Sequence, residues 1–239
     1  IQRPKLAGII LLLLRERGIR RVVVPQNFPH GLAAELLRRR IAVKTRPGSF
    51  FPERECKSAA EVRKIRAALL MAEIGMAAAM QALRRSKIGK DRRLVYRTLP
   101  LTSERLRAII DAAILQAGGL AQHTIVAGGK QGCDPHETGY GPLRAHEPII
   151  LDIFPRSQKT GYFGDITRTV VRGRATEAIR KLYDTVLRGQ KLAFQKLRPG
   201  TPTAQVHTIV QTFFQNEGYP TGRRNGRMEG FFHGTGRGL

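Results

Sequence analysis

The chain has 239 residues, with 42 Lys+Arg against 18 Asp+Glu, a formal net charge of +24 and 41% apolar residues. That apolar share supports a packed core and excludes a disordered chain, in which high charge goes with low hydrophobicity. Cys56 and Cys133 are too few for a disulfide framework and show no zinc-site spacing.

Leu6 to Arg17 has a helical pattern that stops at Gly18, followed by the β-branched run Arg21 to Val24. The apolar stretch Leu6 to Leu14, broken by Gly8, is shorter than the ~20 residues a bilayer span needs. No cleavage-site pattern follows it, so the expectation is a soluble, cytoplasmic protein with no membrane partner. His30 to Arg40 reads as a second helix and Ile41 to Lys44 as a second short strand. Pro47, Gly48 and Pro52 then mark a linker. Residues 1–56 therefore read as the end of an α/β domain plus linker.

Residues 57–239 read as a second, α+β domain. Ser58 and Glu61 have capping-box spacing and open a long helix through Val62, Ile65, Leu69, Ala72, Met76 and Met80. Thr102 or Ser103 starts another helix that stops at Gly118-Gly119. Strands are predicted over Thr124 to Ala127, Ile149 to Phe154 and Tyr162 to Val171. Two further helices run near Thr176 to Leu197 and Thr203 to Glu217. The start at Ile1 and the stop within a glycine-rich string suggest a fragment of a longer protein.

The charge is spread evenly. Residues 1–56, 57–120 and 121–239 each carry a net +8, and Arg outnumbers Lys by 31 to 11. There is no Trp and no aromatic-plus-basic stacking motif. The expectation is no specific nucleic-acid partner, with weak non-specific polyanion binding at low salt.

The most informative stretch is the hairpin from Ile149 to Val170, which carries Asp152 and Asp165. With its loop centred between Gln158 and Lys159, Asp152 faces Asp165, Ile150 faces Thr167 and Phe154 faces Phe163. Two opposed carboxylates repel each other, and a bound cation relieves the repulsion. Carboxylate-bridged metal pairs ~3.5–4 Å apart are a common hydrolytic arrangement. The plainer alternative pairs Asp152 with Arg156 or Arg168 at the sheet surface.

Leu151-Asp152 followed by Gly161-Tyr162, Asp165 and Thr167-Arg168-Thr169 resembles the metal-binding hairpin of the pita-bread metallopeptidases. That family includes aminopeptidase P, prolidase, methionine aminopeptidase and creatinase. Thr124-Ile125-Val126, Gly129, Gly132-Cys133 and His136 are similar to its strand and pocket-histidine segment. Phe232-His233-Gly234-Thr235-Gly236, then Gly238-Leu239, is similar to its second histidine segment. The helix after Lys57-Ser58 resembles the one that opens the catalytic domain in aminopeptidase P and prolidase. The resemblance implies a pita-bread fold, truncated at the C-terminus and preceded by the end of a creatinase-like N-terminal domain.

The resemblance further implies that Asp152 and Asp165 are metal ligands. His136 matches a histidine that helps stabilise the tetrahedral intermediate, and His233 a substrate-side histidine. His30, His123, His146 and His207 receive no role. Two divalent metals are implied for the intact family member, manganese first, with cobalt, zinc or iron as others, while the chain as given is open to holding none. The implied activity is hydrolysis of the first peptide bond of a peptide, Xaa-Pro or similar. Many relatives are dimers, which leaves a homodimer open.

The chain departs from the family at one named position. A histidine ligand is called for at residue 237, where Arg237 stands. A guanidinium cannot ligate a metal, and there it competes for the aspartates as a salt-bridge partner. The two glutamate ligands fall after Leu239. The chain as given is therefore expected to be inactive, with two alternatives open. One is a non-catalytic binding module for RNA or protein. The other is a creatinase-like hydrolase of a small C–N substrate.

Overall fold

The computed structural model describes residues 6–220, 222–224 and 227–229. The chain divides into two compact units that meet at Lys57-Ser58.

The first unit is built from α1 (Leu6–Glu16), β1 (Arg21–Pro25), α2 (His30–Arg38) and β2 (Ala42–Arg46). The strands pair in parallel, with Arg21 opposite Ala42 and Pro25 opposite Arg46. Leu11, Leu36 and Ile41 form a small buried core. Both helices and both strands lie where the periodicity places them.

The second unit begins with α3 (Ala59–Arg85). Its capping box is present: Ser58 N donates to Glu61 Oε2 at 2.8 Å and Glu61 N to Ser58 Oγ at 3.3 Å. By length and composition α3 could cross a membrane. Its small-residue stripe, Ala68, Ala72, Gly75, Met76 and Ala79, is buried. A Cβ on Gly75 would lie 3.0 Å from Ile114 Cδ1, so α3 and the next long helix pack at close range.

A meander of β3 (Lys87–Ile88), β4 (Leu94–Tyr96) and β5 (Leu99–Pro100) follows, absent from the sequence reading. Next comes α4 (Ser103–Gln116), capped by Thr102 Oγ1, which accepts from Arg105 N at 3.2 Å. Beyond it lie β6 (Gly119–Leu120), β7 (Ile125–Gly128), a 3-10 turn (Gly129–Cys133), β8 (Pro148–Ile153), β9 (Arg156–Ser157) and β10 (Ile166–Val171). The helices α5 (Glu177–Lys196) and α6 (Thr203–Asn216) and the short strands β11 (Gly222–Arg224) and β12 (Arg227–Glu229) complete the described elements.

The central sheet is antiparallel in the order β10-β8-β7. Burial alternates along β8. Ile149, Leu151 and Ile153 are fully buried, while Pro148, Ile150 and Asp152 are half-buried. The buried three join Met76, Leu106, Ile110 and Ile114 in one core. Each contributes about 1.5–3 kcal/mol of apolar burial. Strict period-two alternation fixes which residues β8 can turn to the other face.

Leu151 has no exposed surface and sits mid-strand. Leu151→Ala should cost about 2–5 kcal/mol, read as a lower urea midpoint with an unchanged m-value. A midpoint equal to that of the wild type would show that β8 does not anchor this core.

Candidate metal-binding hairpin

The hairpin register is offset by two residues from the sequence expectation. Asp152 pairs with Thr167, Ile150 with Thr169 and Ile153 with Ile166. The same offset continues toward the turn, where Gly164 N donates to Pro155 O at 3.0 Å and Arg156 bridges Phe163. The expected facing pairs Asp152–Asp165, Ile150–Thr167 and Phe154–Phe163 are therefore not formed.

The cause lies in the turn. Ser157 N donates to Tyr162 O at 2.9 Å and Gly161 N to Ser157 O at 2.9 Å. The buried Ser157 hydroxyl accepts from Thr160 N at 3.3 Å. Gly161 takes φ +75°, a left-handed conformation that suits glycine. Together these close the turn one residue later than the expected centre.

A shift of two keeps the same face, because side chains alternate with period two. Asp165 immediately precedes β10 and lies two residues before Thr167, so the register, extended by one residue, would put it on the face of Asp152 as a diagonal neighbour. Such neighbours are about 7–8 Å apart in a regular ladder. Both aspartates are half-buried.

Asp152 accepts a hydrogen bond from Thr167 Oγ1 at 2.5 Å. Neither suggested arginine takes this role. Arg156 Nε donates to Gly161 O at 3.2 Å, and Arg168 Nη1 to Thr167 O at 2.7 Å. Thr167 was missed as a supporting residue, although it stands within the motif that drew attention to the hairpin.

Two contacts fix the hairpin against α3. Tyr162 OH donates to Glu61 Oε1 at 2.9 Å, so Glu61 serves both the capping box and the hairpin. Lys64 Nζ lies 5.3 Å from the Tyr162 ring centroid, within cation–π range. Gly164 then passes against the α3 backbone: a Cβ there would lie 2.3 Å from Ala68 O. Only glycine permits that approach, directly before Asp165.

His136 is exposed in the loop after the 3-10 turn. Its backbone N donates to Asp134 Oδ1 at 2.9 Å. His146 Nδ1 receives Arg174 N at 2.9 Å, a tie between two loops. His233 and Arg237 lie outside the described residues. Among the described residues no group of three His, Cys, Asp or Glu side chains gathers to hold a metal. Two carboxylates on one hairpin, one held by a hydroxyl, suit a hard divalent cation as part of a ligand set.

An open cleft of about 590 Å³ is lined by Gly128, Lys130, Gln131, Tyr140, Leu143 and Arg144, among others. It lies at the Gly128–Ile149 end of the β7–β8 pair, three residues along β8 from Asp152. Nearby, Glu104 accepts from Gly141 N at 3.0 Å. Hydrogen bonds from Thr102 and Gly141 hold its carboxyl below the ordinary glutamate value. Its small contribution to stability is present above the unfolded-state pKa and fades as pH falls through the lowered one.

The model of metallopeptidase family M24 matches residues 63–239. The chain belongs to metallopeptidase family M24. It is 30% identical over 169 residues to the probable dipeptidase PepE of Mycobacterium tuberculosis strain H37Rv, covering 67% of this chain and 42% of that protein. It is 37% identical over 86 residues to the Xaa-Pro aminopeptidase of Escherichia coli K12, covering 35% of this chain and 19% of that protein. In fold it is similar to the prolidase of Pyrococcus furiosus, with a TM-score of 0.73 at 19% identity, covering 92% of this chain and 60% of that one. The prolidase of Pyrococcus horikoshii OT3 gives 0.74 at 22% identity, with 92% and 59% covered. The M24 chain thus has the pita-bread fold of these enzymes and spans about 60% of the solved chains and less than half of PepE.

In this M24 chain Gly164→Ala must displace either the hairpin or α3. A loss of about 1–3 kcal/mol is expected, measured by urea denaturation, together with quenching of the Asp165 region in amide-exchange protection. Unchanged stability and protection would remove Gly164 from the positioning of Asp165.

Proposed function

We propose that the protein is a metal-dependent exopeptidase that hydrolyses the N-terminal Xaa-Pro, or a similar, peptide bond. The observation that carries this reading is the hairpin: Asp152 on the half-buried face of β8, hydrogen-bonded by Thr167 of the paired strand, with Asp165 directly before that strand. Membership of family M24 and the names of the relatives support it.

In this reading Asp152 and Asp165 would contribute to holding a pair of divalent ions, manganese first, whose chemistry would be to lower the pKa of a water and polarise a carbonyl. Thr167 orients Asp152 by occupying one carboxylate oxygen. Gly164 sets the position of Asp165 against α3. His136 and His233 are assigned to the substrate side. Residues 1–56 are assigned to the end of an N-terminal domain, and the protein to the cytoplasm.

Arg237 is where this reading meets resistance. Its guanidinium stays charged and offers no lone pair to a metal. The 239-residue chain as written is expected to release no first residue from Xaa-Pro peptides. The activity belongs to a polypeptide with histidine at 237 and the glutamate ligands that the resemblance places after Leu239.

The test is to assay such a polypeptide, loaded with manganese(II), against a panel of Xaa-Pro peptides. Release of the first residue is expected, and Thr167→Val should reduce metal affinity or activity about 10–100-fold with little change in thermal midpoint. No release from any peptide, alongside turnover of a guanidino compound, would transfer the site to C–N hydrolysis. No release and no metal uptake would leave a binding module.

A further inference from the structure

The net charge is even along the chain, but the fold of the first unit concentrates it. α1 and α2 run into the starts of two adjacent parallel strands, whose first pair is Arg21 opposite Ala42. The two helix C-termini therefore open at the same edge of the β1–β2 pair. That edge collects Arg15, Arg17, Arg20 and Arg21 from one connection and Arg38, Arg39 and Arg40 from the other, all exposed. The only acid within those two stretches is Glu16. Among the described residues none of the seven forms an ion pair.

The two connections are built alike. Ile19 N donates to Leu14 O at 2.8 Å, and Ile41 N to Leu36 O at 3.0 Å. The left-handed residue that closes the first is Gly18, φ +64°. The one that closes the second is Arg40, φ +63°. Glycine adopts that conformation freely, whereas a side chain is strained there. A helix C-terminus attracts cations in its last turn, but Arg20, Arg21 and Arg40 stand beyond those turns.

We propose that this arginine edge is a binding surface for the phosphodiester backbone of a nucleic-acid duplex, without sequence preference. Guanidinium groups match phosphate oxygens two at a time. The two arginine connections carry no aromatic side chain to stack on a base or to anchor a protein partner. Backbone contacts alone carry no sequence information. The surface is independent of the hairpin and of the peptidase reading.

The test is titration of the full chain with a fluorescent 20-base-pair DNA duplex over a range of salt. With four to seven phosphates engaged, log K should fall against log salt with a slope of about −4 to −6. Arg38→Glu/Arg39→Glu/Arg40→Glu should flatten that slope and weaken binding at least ~10-fold. Arg63→Glu/Arg66→Glu/Arg84→Glu on α3 makes the same change in net charge and should have a much smaller effect. Arg40→Gly should weaken binding while leaving the thermal midpoint unchanged or higher, which separates lost contact from lost folding. Equal losses from both triple variants would reduce the effect to net charge and overturn the proposal. So would an unchanged affinity in Arg40→Gly, or preferential binding to polyglutamate or to vesicles containing phosphatidylserine.

Discussion

The strict alternation of β8 organises the second unit. Ile149, Leu151 and Ile153 all turn to the core and leave no freedom for the residues between them. Asp152 must appear on the opposite face, whatever the rest of the hairpin does. A slip of one residue would bury a carboxylate among leucines and isoleucines and expose three large apolar side chains. Each of those changes costs several kcal/mol. The position of Asp152 is thus a consequence of core packing rather than of local turn chemistry.

Asp165 is placed by different means. It lies just outside β10, so no regular ladder holds it. Its location follows from the close approach of Gly164 to the Ala68 carbonyl and from the Tyr162–Glu61 hydrogen bond. Both contacts reach α3, whose own start depends on Glu61 through the capping box. One glutamate therefore couples the first turn of α3 to the hairpin that carries the second carboxylate. Asp152 is thus placed by the sheet, and Asp165 by the contacts that its neighbours make with the helix.

Much of this was legible from the sequence, for identifiable reasons. The α3 cap, the Thr102 cap and the long helices follow from short-range hydrogen-bonding patterns and apolar period, which are local properties. The strands β7 and β8 follow from their β-branched apolar runs. The meander β3–β5 was illegible, because strands of two or three residues are too short to show a period. The register was misjudged by two residues, because it depends on the buried Ser157 hydroxyl and the positive φ of Gly161, which composition alone does not reveal. The offset is even, so the parity of the two strands is the one expected. The roles of Gly164 and Thr167 depend on contacts across 96 and 15 residues of chain respectively, and no spacing rule announces them. His233 and Arg237 fall outside the described residues, and their assignment still rests on the resemblance.

The measurement that bears most directly on the hairpin is divalent-metal uptake, read from the free manganese(II) EPR signal. A polypeptide with histidine at 237 and the glutamate ligands after Leu239 is compared with its Asp152→Asn and Asp165→Asn variants, each checked for native circular dichroism. The expected result is saturable uptake that both substitutions weaken to a similar degree, by tenfold or more. Uptake that neither substitution alters, or that only one of them alters, would contradict a shared site for the two carboxylates.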